Sequence, residues 1–199
     1  QAGATVIGVD RNETSLNVDE FYQADLSDPA SVDALIAALP SGTDGLLNIA
    51  GLPPTAGHVP VVQVNLLALK RLTLGYVAKL ADGASIVNVA SLAGLGWQDA
   101  IPAIQAAETL EDFDQVATFC AAHEIDDGRS YFFTKEALIV WTMQNRWTWR
   151  ERGIRMNCVS PGPVDTPILK DFIETLGERA EEDMKIMDRP GTPDDIAPV

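Results

Sequence analysis

In the stretch GRSYFFTKEALIVW, residues 128–141, a tyrosine and a lysine stand four positions apart. On a helix, positions i and i+4 share a face, so the Tyr131 phenol and the Lys135 ammonium become neighbours. A free tyrosine has a pKa near 10 and is a poor base at neutral pH. A nearby positive charge favours the phenolate, and each tenfold gain in acidity reflects about 1.4 kcal/mol. A tyrosine tuned in this way takes a proton from an alcohol or gives one to a carbonyl. The pair alone is equally compatible with a surface tyrosine beside a solvated lysine, so its setting decides.

Other chemistry-bearing residues follow strand-like runs. Ser91 ends SIVNVAS, where a strand's C-terminal edge opens into a cleft. Its hydroxyl can hold a substrate oxygen or simply cap a turn. Asn65 lies inside the apolar run VVQVNLLAL, and a buried amide in a helix needs a partner, either backbone or something functional. Asp10 closes TVIGVD. A carboxylate there accepts from both ribose hydroxyls of an adenosine and repels a 2′-phosphate, which favours NAD over NADP. Arg11, directly after it, is a residue that attracts such a phosphate. Asp25 in QADLSD follows the next strand, where it either meets the ligand or caps a helix. NIAG, residues 48–51, sets small residues after a further strand, so backbone can approach a flat ligand. PGPVDT, residues 161–166, offers a rigid turn and the Thr166 hydroxyl.

The elements that must position these residues alternate short apolar runs with longer amphipathic ones, the signature of a parallel sheet covered by helices. Strands are expected at Thr5–Val9, in a short run ending at Ala24, and at Gly45–Ile49, Ser85–Val89 and Arg155–Val159. Ser27 or Asp28 can cap a helix that buries Val32, Leu35, Ile36 and Leu39, with Pro29 in its first turn. Longer helices are expected over Val59–Leu80 and Ser130–Arg150. The first is interrupted by Gln63, Asn65, Lys70, Arg71 and Lys79, so it is not expected to span a membrane. Before TVIGVD there is no glycine-rich turn, and PDDIAPV reads as the start of another helix. The expectation is therefore a single α/β domain over 1–199 that lacks its first strand and a C-terminal strand.

Composition narrows the partners. The chain has 199 residues, 46% hydrophobic, and a formal net charge of −15, which disfavours nucleic acid and anionic membranes. Cys120 and Cys158 sit in no paired motif and read as free thiols in a reducing cytoplasm. His58 and His123 are isolated, so no metal site is expected.

As an ordered set, Asp10, Asp25 with Leu26, Asn48 to Gly51, Asn65, Ser91, Tyr131 with Lys135, Asn157, and Pro161 with Gly162 resemble the short-chain dehydrogenase/reductase family. The resemblance runs along nearly the whole chain. It implies a Rossmann-type doubly wound parallel sheet with helices on both faces. It also implies NAD(P)-dependent interconversion of alcohols and carbonyls, in a homo-oligomer acting on a small molecule. By this resemblance Tyr131 is the acid/base and Ser91 positions the substrate oxygen. Lys135 binds the nicotinamide ribose and lowers the tyrosine pKa, Asn65 supports a proton-relay water, and Thr166 meets the nicotinamide amide. Asp10, Asp25, Leu26, Asn48, Ala50, Gly51, Pro161, Gly162 and Val164 belong to the implied cofactor site. Two departures stand out: the family's TGxxxGxG turn is absent, and NIAG replaces the commoner NNAG.

Ser91 and Tyr131 are separated by 131 − 91 = 40 positions, much more than in most of the family. The extra segment, about 97–128, carries a potential apolar stripe of Ile101, Ile104, Leu110, Phe113, Val116 and Phe119. It is expected to be a packed excursion, a lid, or a block to helix pairing between subunits. Such an insertion resembles a branch of the family that acts on aromatic allylic alcohols such as coniferyl alcohol, or on 3α-hydroxysteroids. Leu92, Trp97, Val164, Ile168 and Leu169 are candidate pocket walls. Trp141, Trp147 and Trp149 read as packing or interface residues. A non-catalytic NAD-binding module is the rival reading on the same fold. An unrelated flavodoxin-like or methyltransferase-like sheet is the more distant one.

Overall fold

The computed structural model describes residues 3–13, 17–176, 182, 184, 185 and 188–197. Strands β1 (Ile7–Asp10) and β2 (Glu20–Gln23) pair in parallel. Strands β3 (Thr43–Asn48), β4 (Leu80–Val89) and β5 (Arg155–Val159) form a second parallel sheet in that order. Among the described residues, no strand joins β1 to β3. Between the strands lie α1 (Pro29–Ala38), α2 (His58–Lys79), α3 (Ile101–Ala106), α4 (Val116–Ala122) and α5 (Asp127–Asn145). Helices α6 (Leu169–Leu176) and α7 (Pro193–Ile196) follow β5.

The apolar runs explain the strands. Along β4, Ala84, Ile86 and Asn88 are buried while Ser85, Val87 and Val89 are half-buried, the alternation of a pleated strand with one face on the core. Met156 of β5 continues the buried side. The connections β3–α2–β4 and β4–α5–β5 are crossovers between parallel strands of one sheet, a connection that is right-handed in nearly all proteins. Helix α2 packs on both α1 and α5.

Asp28 caps α1, its carboxylate accepting from the Ala30 amide at 3.0 Å, with Pro29 in the first turn. Ser27 does not cap; its amide and hydroxyl both donate to Asp25. Val32, Leu35 and Leu39 are buried, and Ile36 packs at the edge of the core. At Gly75 an added Cβ would lie 2.6 Å from Ile36 Cδ1, so α1 packs closely on α2 here and a side chain at this position would displace the end of Ile36. At the far end of α2, Lys79 Nζ donates to the carbonyls of Ile36, Ala37 and Leu39 at 2.7, 2.9 and 2.9 Å, closing the C-terminus of α1.

Helix α2 is long and apolar enough to cross a membrane by length and composition, but 67% of its apolar window is buried inside the protein, which makes it a core helix. It widens into a π-helical turn over Gln63–Ala68, centred on the asparagine that interrupts its apolar run. Such turns recur at functional sites. Helix α5 starts at Asp126, whose side chain accepts from the Arg129 amide at 2.9 Å. It is buried on nearly every side from Ser130 to Thr142, as expected of a helix enclosed by sheet and neighbours.

The segment about 97–128 is part of this core. Ile104, Leu110, Phe113 and Val116 are buried, with Ile101 and Phe119 packed alongside. Gln63 of α2 donates to the Phe113 carbonyl at 3.1 Å, Lys70 to the Ala107 carbonyl at 3.4 Å, and Gln144 of α5 to Glu108 at 2.8 Å. The segment is thereby laid against α2 and α5.

Candidate active site

Two cavities open at the C-terminal ends of the strands and share a wall made of Ile49, Gly51 and Leu52. This is the edge where a doubly wound sheet takes its ligand. The inner cavity, of about 480 Å³, holds Ser91, Tyr131 and Lys135. The outer one, of about 570 Å³, holds Asp10, Asp25 and Leu26, with Ala50 beside the shared wall.

The sequence makes the inner cavity from three elements. Ser91 leaves β4 in an extended conformation and caps the short turn Leu92–Gly94, its Oγ accepting from the Ala93 amide at 3.1 Å. Tyr131 and Lys135 project from the second and third turns of α5. The loop after β5 brings Pro161, Gly162, Val164 and Thr166 to the opposite side.

Burial governs the titration of both groups on α5. It pushes the Tyr131 phenol up to about 12, and an interaction with the Ser91 hydroxyl draws it partly back. Burial lowers Lys135 to about 8. Its Nζ donates to the Val89 carbonyl at 2.7 Å and lies 5.5 Å from the centre of the Tyr131 ring. The expectation that Lys135 lowers the Tyr131 pKa is therefore corrected for the ligand-free protein. The ammonium is spent on a backbone carbonyl, and the low-dielectric surroundings outweigh it at the phenol.

Asn65 is buried in the widened turn of α2. Its Oδ1 accepts from the Leu52 amide at 2.7 Å and its Nδ2 donates to the Leu52 carbonyl at 3.0 Å. Both halves of the amide thus hold the loop between the two cavities. The same loop carries Gly51, where an added Cβ would sit 3.2 Å from Asn65 Oδ1.

In the outer cavity Asp10 is exposed and accepts from the Asn12 amide at 2.8 Å. Asp25 accepts from the Ser27 amide and hydroxyl at 2.8 and 2.7 Å, and these bonds hold its carboxyl below the usual range. The chemistry of these donors and acceptors fits the adenosine side of a dinucleotide: exposed carboxylates for hydroxyls, and small residues where a flat group must pass.

Asn48 does not join either cavity. Its amide donates to Thr73 at 2.9 Å and to Asn88 at 2.8 Å, and Asn88 donates to Thr142 at 2.9 Å. This buried chain ties α2, β3, β4 and α5 together, so Asn48 is a core residue here, not a wall of the cofactor cleft. Trp97 and Leu169 are likewise absent from the inner cavity, Trp97 because it packs against the core. Leu92, Val164 and Ile168 do line it. Trp141 is a core residue, Trp149 packs against the core and Trp147 is 65% exposed.

Sequence reasoning missed Phe132, Phe172 and Ile196, which supply much of the apolar lining. Phe172 meets the Tyr131 ring edge-on, centroids 4.8 Å apart. The only signal for it is the amphipathic pattern of residues 169–176. Ile196 is brought in by the segment after Arg189, through the parallel bridge of Val164 with Gly191 and the Arg189–Asp195 ion pair at 2.7 Å.

The chain is 43% identical over 199 residues to the coniferyl-alcohol dehydrogenase of Pseudomonas sp. strain HR199, an alignment covering 99% of this chain and 78% of that protein. The chain belongs to the short-chain dehydrogenase/reductase family. The family model described as enoyl-(acyl carrier protein) reductase matches residues 115–199. The 3-alpha-hydroxysteroid dehydrogenase/carbonyl reductase of Comamonas testosteroni is 29% identical, over 90% of this chain and 76% of its own. Among solved structures, the 3-alpha-hydroxysteroid dehydrogenase from Pseudomonas sp. B-0831, complexed with NADH, superposes with a TM-score of 0.76 at 28% identity. That match covers 96% of this chain and 76% of the other. The fold is therefore the Rossmann-type fold of short-chain dehydrogenases, and the protein is an oxidoreductase of that family.

Proposed function

We propose that the protein is an NAD-dependent dehydrogenase that interconverts an aromatic allylic alcohol, such as coniferyl alcohol, and its aldehyde. One observation carries this reading: Ser91, Tyr131 and Lys135 meet in an apolar cavity that shares a wall with a carboxylate-bearing cleft. A molecule spanning both has its hydroxyl-rich end at Asp10 and Asp25 and its reacting end beside Tyr131.

Nicotinamide dinucleotide, when bound, supplies the hydride acceptor or donor. The chain's own groups do the rest. The Ser91 hydroxyl donates to the substrate oxygen. Tyr131 Oη, once ionised, takes the alcohol proton in oxidation, and the protonated phenol gives that proton to the carbonyl oxygen in reduction. Lys135 would hold the ribose hydroxyls of the dinucleotide. Asn65 holds the loop at Leu52 that separates the two cavities, and Thr166 would meet the amide group of the nicotinamide. Pro161, Gly162 and Val164 shape that end of the cavity. The negative charge of Asp10 supports NAD over NADP.

The apolar lining, with Phe132 and Phe172 beside Tyr131, suits an aromatic ring, and the 43% identical relative supports the coniferyl type. Oxidation of a 3α-hydroxysteroid is the second reading, supported by the fold match to the steroid enzyme. Side-by-side turnover of coniferyl alcohol and a 3α-hydroxysteroid with NAD, read as NADH formation, separates them. Turnover of the aromatic alcohol alone is the expected result; turnover of the steroid alone moves the protein to the second reading. NADH binding with turnover of no alcohol supports a non-catalytic module. We also place the protein in the cytoplasm, on its unpaired thiols, as a homo-oligomer.

A further inference from the structure

The turn that carries Ser91 rests directly on the backbone of the helix that carries Tyr131, and it does so at one residue. Gly94 is buried, and its amide donates to the Ser91 carbonyl at 2.9 Å. A Cβ added at Gly94 would lie 2.7 Å from the Lys135 carbonyl oxygen, 2.8 Å from the Lys135 carbonyl carbon and 2.7 Å from Ile139 Cδ1. Real Cβ atoms essentially never approach other atoms that closely. Two of the three obstructing atoms are backbone of α5, which cannot turn aside as a side chain can. The backbone φ of Gly94 is ordinary, so the requirement for glycine here is contact, not conformation.

We propose that Gly94 is a positioning residue for the proton-transfer pair: its missing side chain lets the Ser91 turn lie against Lys135, and that contact sets the Ser91 hydroxyl relative to Tyr131. The inference rests on the acid/base reading of Ser91 and Tyr131. On the far side the turn is tied down by the Leu92 amide, which donates to the Pro161 carbonyl at 3.0 Å. A bulkier residue at position 94 therefore tilts Ser91 about that tether, away from α5. Displacements on the order of 1 Å at a reacting group cost about a hundredfold in rate.

The consequence extends to titration, because the Ser91 interaction is what offsets burial at Tyr131. Among the described residues lining this cavity, Lys135 is the other titratable group, and it stands on the same helix. On α6, which packs on Tyr131 through Phe172, Asp171 accepts from Thr55 at 3.3 Å, and neither Lys170 nor Glu174 lines the cavity. One turn before Tyr131, Asp127 is engaged with His58 at 2.6 Å. Moving Ser91 away thus leaves burial unopposed and raises the Tyr131 pKa further.

The test is Gly94→Ala and Gly94→Ala/Ile139→Val, compared with Ile139→Val and wild type, using the full chain and whichever alcohol the wild-type protein oxidises. Ile139→Val removes Cδ1, the side-chain part of the obstruction, and leaves the Lys135 backbone part. The expected result is a kcat about 10- to 100-fold lower in both Gly94 variants. KM is expected to change less than threefold, and the rising limb of the oxidation profile, where the Tyr131 phenol ionises, to move to higher pH. Ile139→Val alone is expected to keep the wild-type profile. Where Gly94→Ala alone does not fold, the double variant decides. Wild-type kcat and an unmoved limb in a folded Gly94 variant overturn the proposal. So does failure of both variants to fold, which makes Gly94 a packing residue only. A wild-type protein that binds NADH and oxidises no alcohol defeats the acid/base reading itself, a different failure.

Discussion

The inner and outer cavities differ in how they treat charge. Around Tyr131 and Lys135 the walls are apolar, and burial moves both groups toward their neutral forms. Around Asp10 and Asp25 the side chains are exposed; Asp10 accepts from the Asn12 amide, and the Ser27 amide and hydroxyl hold Asp25 in its charged form. The inner region thus keeps a proton where it can be exchanged, while the outer region keeps a fixed negative sign that can select between ligands. One fold edge provides both because helix α5 is enclosed, whereas the ends of β1 and β2 are open.

The comparison is sharpest at Tyr131. Tyr131→Phe removes the proton and little volume, and kcat is expected to fall by about a thousandfold or more, with NADH binding within about threefold of wild type. Ser91→Ala is expected to lower kcat by about a hundredfold through loss of the donor at the substrate oxygen, and to shift the rising limb of the oxidation profile to higher pH. Steady-state kinetics with a parallel binding titration check both. A similar loss of binding and turnover would erase the distinction between the two regions.

Lys135→Met tests burial through stability. A lysine lowered from 10.5 to about 8 by burial destabilises the folded chain while it is charged. The unfolded chain holds the proton more tightly, so stability rises as pH climbs from about 8 towards 10.5. Below that window, Lys135→Met is expected to be more stable by roughly 1–3 kcal/mol, a gain that fades above it, even as turnover is lost. Thermal unfolding at neutral and alkaline pH measures this. Lower stability at neutral pH would mean that the bond to the Val89 carbonyl outweighs desolvation.

The smallest effect belongs to the open region. Asp10→Asn keeps the shape and removes the charge, so the ratio of NAD to NADP efficiency is expected to fall by about tenfold without loss of kcat on NAD. An unchanged ratio would mean that the sign of this cleft selects nothing.

The same contrast separates what was legible in the sequence from what was not. Asp10, Asp25, Ser91, Tyr131 and Lys135 were readable because each is a chemical type at an element boundary or helical spacing. Strand Arg155–Val159 was also readable, as a short apolar run closed by a proline-glycine turn. Asn48 was misread because a residue next to a cleft motif can equally turn into the core, and only the three-dimensional chain through Asn88 and Thr142 shows which. Phe172 and Ile196 were not legible, since long-range contacts alone bring them to Tyr131. Burial also reversed the expected effect of Lys135, since a spacing of four gives proximity but not the dielectric between two groups.

Tyrosinate absorbance during alkaline titration of the ligand-free protein tests most directly the claim that burial holds the Tyr131 proton, with Tyr131→Phe as the reference. The chain has three tyrosines, so the difference between the two curves isolates Tyr131. A difference that appears only near pH 12 is the predicted result. Ionisation of Tyr131 at or below pH 10 would contradict it, and would return control of the phenol to the Lys135 ammonium.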